Sequence, residues 1–310
     1  MPVKPLPLYV EYGGLATTPQ PDLIDDCVLY GFFPRADCQK LASLCKRVFA
    51  APSGGAVNCV PLSDRVMLTF GRAAKVRPKL KPYAQMGYGA EKQVAFWIPV
   101  RVSTKGSAKQ FPSLAWFVPY MWVDNPLSLC GGREIFGWAK NWGSMTLADE
   151  SPKRDFTLHA YGGNYNPGSA SGYFPLIAVT PLSVSTSKPA NSRVDAVLEW
   201  LLKEAQKGIE EEFQTLFKWF AKSTAPIVFL KQFRSVSNGL VASVQEIAGT
   251  TTDVRRMKSL QPILTRHQLA VQPSNSHPII PELGITNQKL WPGFEIKMDF
   301  TLQNGTRLWP

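Results

Sequence analysis

The chain has 310 residues, 45% hydrophobic and 18% charged, a balance that excludes a disordered polymer and permits one large core or two small ones. Its 34 Lys and Arg against 23 Asp and Glu leave a formal charge of +11, a field suited to nucleic acid, anionic lipid or a small anionic substrate. Five cysteines without a CxxC pair and three histidines exclude a zinc site by spacing and read as reduced, mostly buried thiols in a cytoplasmic protein.

The opening MPVKPLPLYVEYGG lacks the charged head and apolar run of a signal peptide, and residues 1–25 read as an extended surface arm. CVLYGFF (27–33) is a predicted strand. In the helix after it, Cys38, Leu41, Cys45 and Val48 share a face, and Asp37 is placed to cap it. RVMLTFG, KQVAFWIPVRV and SLAWFVPYMWV are predicted strands. The last of them belongs to the most apolar stretch, which is short for a membrane span and contains prolines. Between the first two strands, RAAKVRPKLKPY carries five basic residues and reads as a solvated loop that steers anions. It lacks interleaved aromatics for stacking bases, so no nucleic-acid partner is expected.

DFTLHAYGG and YFPLIAVTPL form a predicted strand pair. Residues 192–223 are the clearest helix, with Val197, Leu201, Ile209, Phe213 and Phe220 on its apolar face. Ser192 and Asp195 resemble a capping box, and Gly208 marks a kink or break. The apolar stripe is too wide to leave in water, so it packs on the rest of the chain or on another subunit. APIVFLKQFRSV and GLVASVQEIAG flank a Ser-Asn-Gly turn. GFEIKMDFTLQNG then alternates apolar and polar residues until Asn304-Gly305. No repeat or linker divides the chain. The predicted class is α+β and β-rich: one domain over 1–310 with a helical insertion at 192–223.

The chemistry concentrates in CGGREIFGWAKNWG, residues 130–143, where Phe136, Trp138 and Trp142 surround Lys140. One reading is a lysine whose stem lies on aromatic surface while its head reaches water. The other is a desolvated amine, neutral enough to attack a ketone carbonyl and form an iminium.

A longer pattern bears on the choice. Asp124-Asn125 opens a turn, and Gly132-Arg133-Glu134, Gly137, Lys140 and Gly143 follow in DNPLSLCGGREIFGWAKNWG. This register resembles the signature of the acetoacetate decarboxylase superfamily. The resemblance covers roughly 25–185 and 224–303. It implies a mostly antiparallel β-barrel or cone with peripheral helices, whose interior holds Lys140 as the Schiff-base lysine. It also implies a homo-oligomer that needs no metal or cofactor. Glu91, within a two-residue register, matches a cavity glutamate of that family. Thr69 stands where a second one is expected, as a cavity-lining candidate beside Phe136 and Trp138. Two features depart from the family. Ala139 and Asn141 stand where the decarboxylases carry proline and a second lysine, and PDLIDDC offers no counterpart of their substrate-binding arginine.

Beside these, Glu91 reads either as a proton-handling group or as an exposed loop carboxylate. Arg133 and Glu134 read as an ion pair or hydrogen-bonding anchor that positions the lysine loop. His159 reads as an ordinary strand residue, and Cys130 as buried and inert. Three functions remain open: decarboxylation of a β-keto acid through an iminium on Lys140, aldol condensation and dehydration of a pyruvate-type keto acid through the same lysine, or non-catalytic binding of a small apolar ligand.

Overall fold

A computed structural model describes residues 7–11, 17–105, 111–164, 167–184, 193–205 and 211–310. The first half of the chain runs β1 (Asp22–Phe32), α1 (Cys38–Cys45), β2 (Val57–Pro61), β3 (Met67–Pro78), β4 (Gly89–Thr104), β5 (Leu114–Val123), α2 (Pro126–Gly131), β6 (Lys140–Thr146) and β7 (Phe156–Gly162). The second half runs β8 (Gly172–Val184), α3 (Val194–Ala205), α4 (Glu211–Lys222), β9 (Thr224–Arg234), β10 (Ala242–Ile263), β11 (Thr265–Val271), α5 (Ile279–Leu283), β12 (Gln288–Leu290), β13 (Gly293–Leu302) and β14 (Thr306–Trp309).

Seven strands close on themselves in the order β5-β9-β10-β13-β1-β3-β4, and β4 returns to pair with β5. Every neighbour in the ring is antiparallel except β5 with β9. Closure removes the free edges that an open sheet would expose. A second sheet leaves the barrel at β5, where β6 pairs in parallel with Met121 opposite Lys140, and continues through β7, β8, β11 and β12.

This branching explains why SLAWFVPYMWV has no polar face. Trp116, Val118, Met121 and Val123 point into the barrel interior, whereas Ala115, Phe117, Tyr120 and Trp122 join a second core outside it. The alternation changes phase at Pro119, where the pairing with β4 slips between Phe96 and Ile98. A bulge is where a strand tolerates both a proline and a switch of face.

Asp37 caps α1 as expected, accepting from the amides of Gln39 and Lys40 at 2.9 and 3.1 Å. The predicted 192–223 helix is two helices, α3 and α4; Ser192 and Gly208 lie outside the described residues. Both helices pack into the barrel core. Val197, Leu198, Leu201 and Leu202 of α3 are buried with Phe213, Leu216, Phe217 and Phe220 of α4. The aromatic rings of α4 meet barrel rings edge-on, Phe217 against Phe33 at 5.3 Å and Phe220 against Trp97 at 5.6 Å. The α3–α4 pair therefore fills the interior behind Trp97.

The first part of the basic run after RVMLTFG is strand: β3 continues to Pro78, pairing with β1 along its length, and only the part with Lys79 and Lys81 is an exposed turn. Its charges hide the strand because Arg72, Lys75 and Arg77 stand on both of its faces at the rim of the barrel. Arg72 pairs with Asp149 at 2.6 Å, and Arg77 with Asp25 at 3.5 Å. No helix among the described residues is long and apolar enough to cross a membrane.

Candidate active site

The turn Asp124-Asn125-Pro126 starts a helix and fastens it to a neighbouring strand. Asn125 caps α2 by accepting from the amides of Leu127 and Ser128 at 2.9 and 3.1 Å, with Pro126 in the first turn. Its amide Nδ2 also donates to the carbonyl of Ala90 at 2.8 Å, and Asp124 Oδ1 accepts from the amide of Lys92 at 2.6 Å. These bonds grip β4 on both sides of Glu91.

α2 widens into a π-helical turn over Gly132–Phe136, and Gly137 ends it in the left-handed conformation with φ of 72°. The chain then doubles back. Trp138 N donates to Gly132 O at 3.0 Å, and β6 begins at Lys140. Arg133 Nη1 donates to the carbonyl of Lys140 at 3.0 Å, tying the start of the strand to the turn.

The Lys140 side chain runs over Gly132 toward α2, and only 6% of the residue is exposed. Its Nζ donates to the Ser128 carbonyl at 3.1 Å and to Ser128 Oγ at 2.5 Å, and lies 5.5 Å from the centre of the Trp138 ring. Burial lowers the pKa of the amine; the carboxylates of Glu91 and, less strongly, Asp22 oppose that shift. The head does not reach bulk water, so the desolvated reading of Lys140 is the one its surroundings fit.

Lys140 lines a cavity of about 300 Å³ in the barrel, which Trp97 also borders. Phe136 and Trp138 form one wall, stacked with centroids 4.4 Å apart. Met121, Ile227 and Phe300 contribute further apolar surface. Such a shape, mostly apolar with a few converging polar groups, is that of a small-molecule site.

Glu91 is half-buried in this cavity, on β4 opposite Ala73. Thr69 does not line it. It is fully buried beneath Trp97, accepting from the indole Nε1 at 2.8 Å, so it acts on the cavity only by holding a ring that does line it. Glu134 does not form an ion pair with Arg133. It turns outward and accepts from Tyr9 Oη at 2.6 Å and from Thr17 Oγ1 at 3.4 Å, so the arm is tied down beside the cavity mouth. Trp142 also faces away, donating from Nε1 to Tyr173 Oη. Cys130 is exposed rather than buried, because it lies on the outer side of α2, and Cys38 is exposed as well. His159 is an exposed residue of β7, opposite Ser144.

Three polar residues of the site carry no motif that sequence reasoning detects. Ser128 holds the lysine head. Asp22 and Gln20, in or beside the stretch that offers no arginine, both line the cavity. Gln20 Nε2 donates to Asp22 Oδ2 at 2.6 Å. Burial pushes the Asp22 carboxyl up to about 6, and the charge of Glu91 adds to the rise, while the Gln20 hydrogen bond and Lys140 pull it back. The one signal in the sequence is the pair of acidic residues that follows shortly after Asp22, and such a pair points equally to a turn.

The assembled site contains a desolvated amine and two acidic side chains, Glu91 and Asp22, in one apolar cavity. It can form an iminium with a carbonyl compound and supply or remove a proton beside it.

Residues 81–165, which include Glu91 and the whole 124–143 segment, match the family model for acetoacetate decarboxylase. No curated protein matches the sequence. Among solved structures, the acetoacetate decarboxylase from Legionella pneumophila is similar over 98% of this chain and 92% of its own, with a TM-score of 0.61 and 16% identity. A second acetoacetate decarboxylase is similar over 95% and 91%, with a TM-score of 0.60 and 14% identity. The enduracididine biosynthesis enzyme MppR complexed with pyruvate is similar over 94% and 91%, with a TM-score of 0.54 and 12% identity. The superfamily resemblance read from residues 124–143 and the β-rich barrel expected from it are both borne out.

Proposed function

We propose that the protein is a lysine-dependent carbon–carbon lyase acting on a keto acid, and that it decarboxylates a β-keto acid through an iminium on Lys140. The observation that carries this reading is the burial of the Lys140 amine in the wall of an apolar cavity that also holds Glu91. The neutral amine attacks the ketone carbonyl, and the adduct takes up a proton from solvent as it loses water to give the iminium. The bond to the carboxylate carbon breaks, carbon dioxide leaves, and the electron pair moves into an enamine ending on the nitrogen. Glu91 or a water molecule delivers a proton to the enamine carbon. Hydrolysis then releases the ketone and, with return of one proton to solvent, regenerates the neutral amine. The nitrogen is the electron sink, so the sequence of steps needs no metal or cofactor.

Activation rests on desolvation, because Asn141 replaces the adjacent cation. In acetoacetate decarboxylase itself a neighbouring cation lowers the pKa of the reactive lysine, and this chain lacks that device. The same substitution favours a second reading, aldol condensation and dehydration of a pyruvate-type keto acid on Lys140. The similar fold of MppR, whose structure holds pyruvate, supports it. The aromatic walls suit a substrate larger than acetoacetate in either reaction. A cytoplasmic homo-oligomer is the setting we propose.

The test is to incubate the protein with acetoacetate, pyruvate or an aryl β-keto acid, reduce with borohydride, and map the adduct by mass. A reduced adduct on Lys140, absent in Lys140→Ala, is expected. Because the amine has a lowered pKa, its formation extends to lower pH than for an ordinary lysine. Release of carbon dioxide separates decarboxylase from aldolase. No adduct with any of the three, while a control enzyme is trapped, overturns the lyase reading and leaves a binder of apolar ligands.

A further inference from the structure

Asp22 and Gln20 do more than border the cavity. Gln20 is 8% exposed, and its amide is oriented by donating Nε2 to Asp22 Oδ2. That bond leaves Gln20 Oε1 and Asp22 Oδ1 buried without a hydrogen-bond partner among the described residues. Two orphaned acceptors on adjoining, cavity-lining side chains cost free energy, and a buried acceptor is ordinarily satisfied. The orientation is not interchangeable: flipping the amide would set its oxygen against the carboxylate.

The cations at the cavity are committed elsewhere. Arg72 and Arg77 line it, but they pair with Asp149 and Asp25, neither of which does. Lys140 is the reacting group of the proposed function. The polar end formed by Gln20 and Asp22 is therefore an acceptor end with a negative charge.

We infer that Gln20 and Asp22 form a specificity site for a hydrogen-bond donor, a hydroxyl or amide N–H, carried by the substrate away from its reacting carbonyl, and that this site rejects a remote carboxylate. The inference rests on the keto-acid reading of the Lys140 cavity and names the substrate class within it: an apolar keto acid with a neutral donor on its far end. A hydroxyl satisfies one of these acceptors and a primary amide can satisfy both, whereas an alkyl chain leaves both orphaned. A carboxylate brought to the same place meets two acceptors and a like charge. Sites built to hydrogen-bond a polar group discriminate strongly against analogues that lack it.

The probes are matched ketones that differ only at the far carbon: 2-pentanone, 5-hydroxy-2-pentanone and 4-oxopentanoate, with their six-carbon homologues. Borohydride trapping at pH 7.5 is measured against concentration in the unmodified protein and in Asp22→Ala and Gln20→Ala. The hydroxy ketone of one chain length is expected to half-saturate trapping at a concentration at least about 10-fold below that of the plain ketone, consistent with one buried hydrogen bond. The oxo acid is expected to be weakest, and both variants narrow the spread. Equal trapping of plain and hydroxy ketones at both lengths overturns the inference, as does a preference that both variants retain. Calorimetric binding to Lys140→Met separates the two readings. If no ketone is trapped in the unmodified protein yet the hydroxy ketone still binds more tightly, the lysine chemistry fails and the acceptor site stands.

Discussion

The Lys140 side chain passes close over the backbone at Gly132. A Cβ built there would sit 2.5 Å from Lys140 Cδ and 2.6 Å from Cε, inside any real contact distance. The glycine of Gly-Arg-Glu thus has a physical reason: it is the floor over which the lysine stem runs to Ser128. Gly132→Ala is expected to push the amine off its position and reduce the rate of adduct formation by about 10²-fold, the usual cost of a displacement near 1 Å. Borohydride trapping checks this, with an unchanged circular dichroism spectrum showing that the fold survives. Gly137 has a separate role, since its left-handed φ of 72° and its packing against the Lys231 backbone both exclude a side chain. The spacing of these glycines around Lys140 makes the site legible in the sequence. Gln20 and Asp22 are not legible, because only the register of β1 against β3 and β13 brings their end of the chain to the cavity. Local chemistry carries no trace of such a register.

Among the elements, α4 is legible in its buried face but not in its placement. The spacing of Phe213, Leu216, Phe217 and Phe220 marks that face, and all four are buried. That the face enters the barrel depends on rings distant in the sequence, Phe33, Trp97, Trp116 and Phe294, that no helical pattern reveals. Phe217 is fully buried between Phe33 and Phe294. Phe217→Ala is expected to destabilise the protein by about 3–5 kcal/mol, the range for deleting a core phenylalanine. Urea unfolding measures it as a lower midpoint. β3 shows the converse failure: its charged half reads as a loop because alternation is lost where both faces of a strand reach solvent at the barrel rim.

At the scale of the whole molecule, the alternating runs announce a β-rich domain, whereas the closure of β4 onto β5 and the parallel joints of β5 with β6 and β9 are long-range pairings without a local signature. The net charge of +11 is likewise a property of the whole chain. It is expected to draw anionic keto acids toward the cavity. The second-order rate of trapping with acetoacetate should fall several-fold between about 0.02 and 0.5 M salt, as screening shortens the reach of the field, while that with 2-pentanone stays level. Stopped trapping across a salt series checks the contrast. The contact of Phe220 with Trp97 has an evolutionary consequence. Trp97 faces the cavity from a barrel strand, but the ring that backs it belongs to α4, a helix that follows β8 and precedes β9. Lys140, the proposed reacting group, and the gauge of what fits beside it are thus inherited on separate stretches of chain. Substitutions in α3 and α4 can retune the size of accepted molecules while the lysine loop, with its unforgiving glycines, stays as it is.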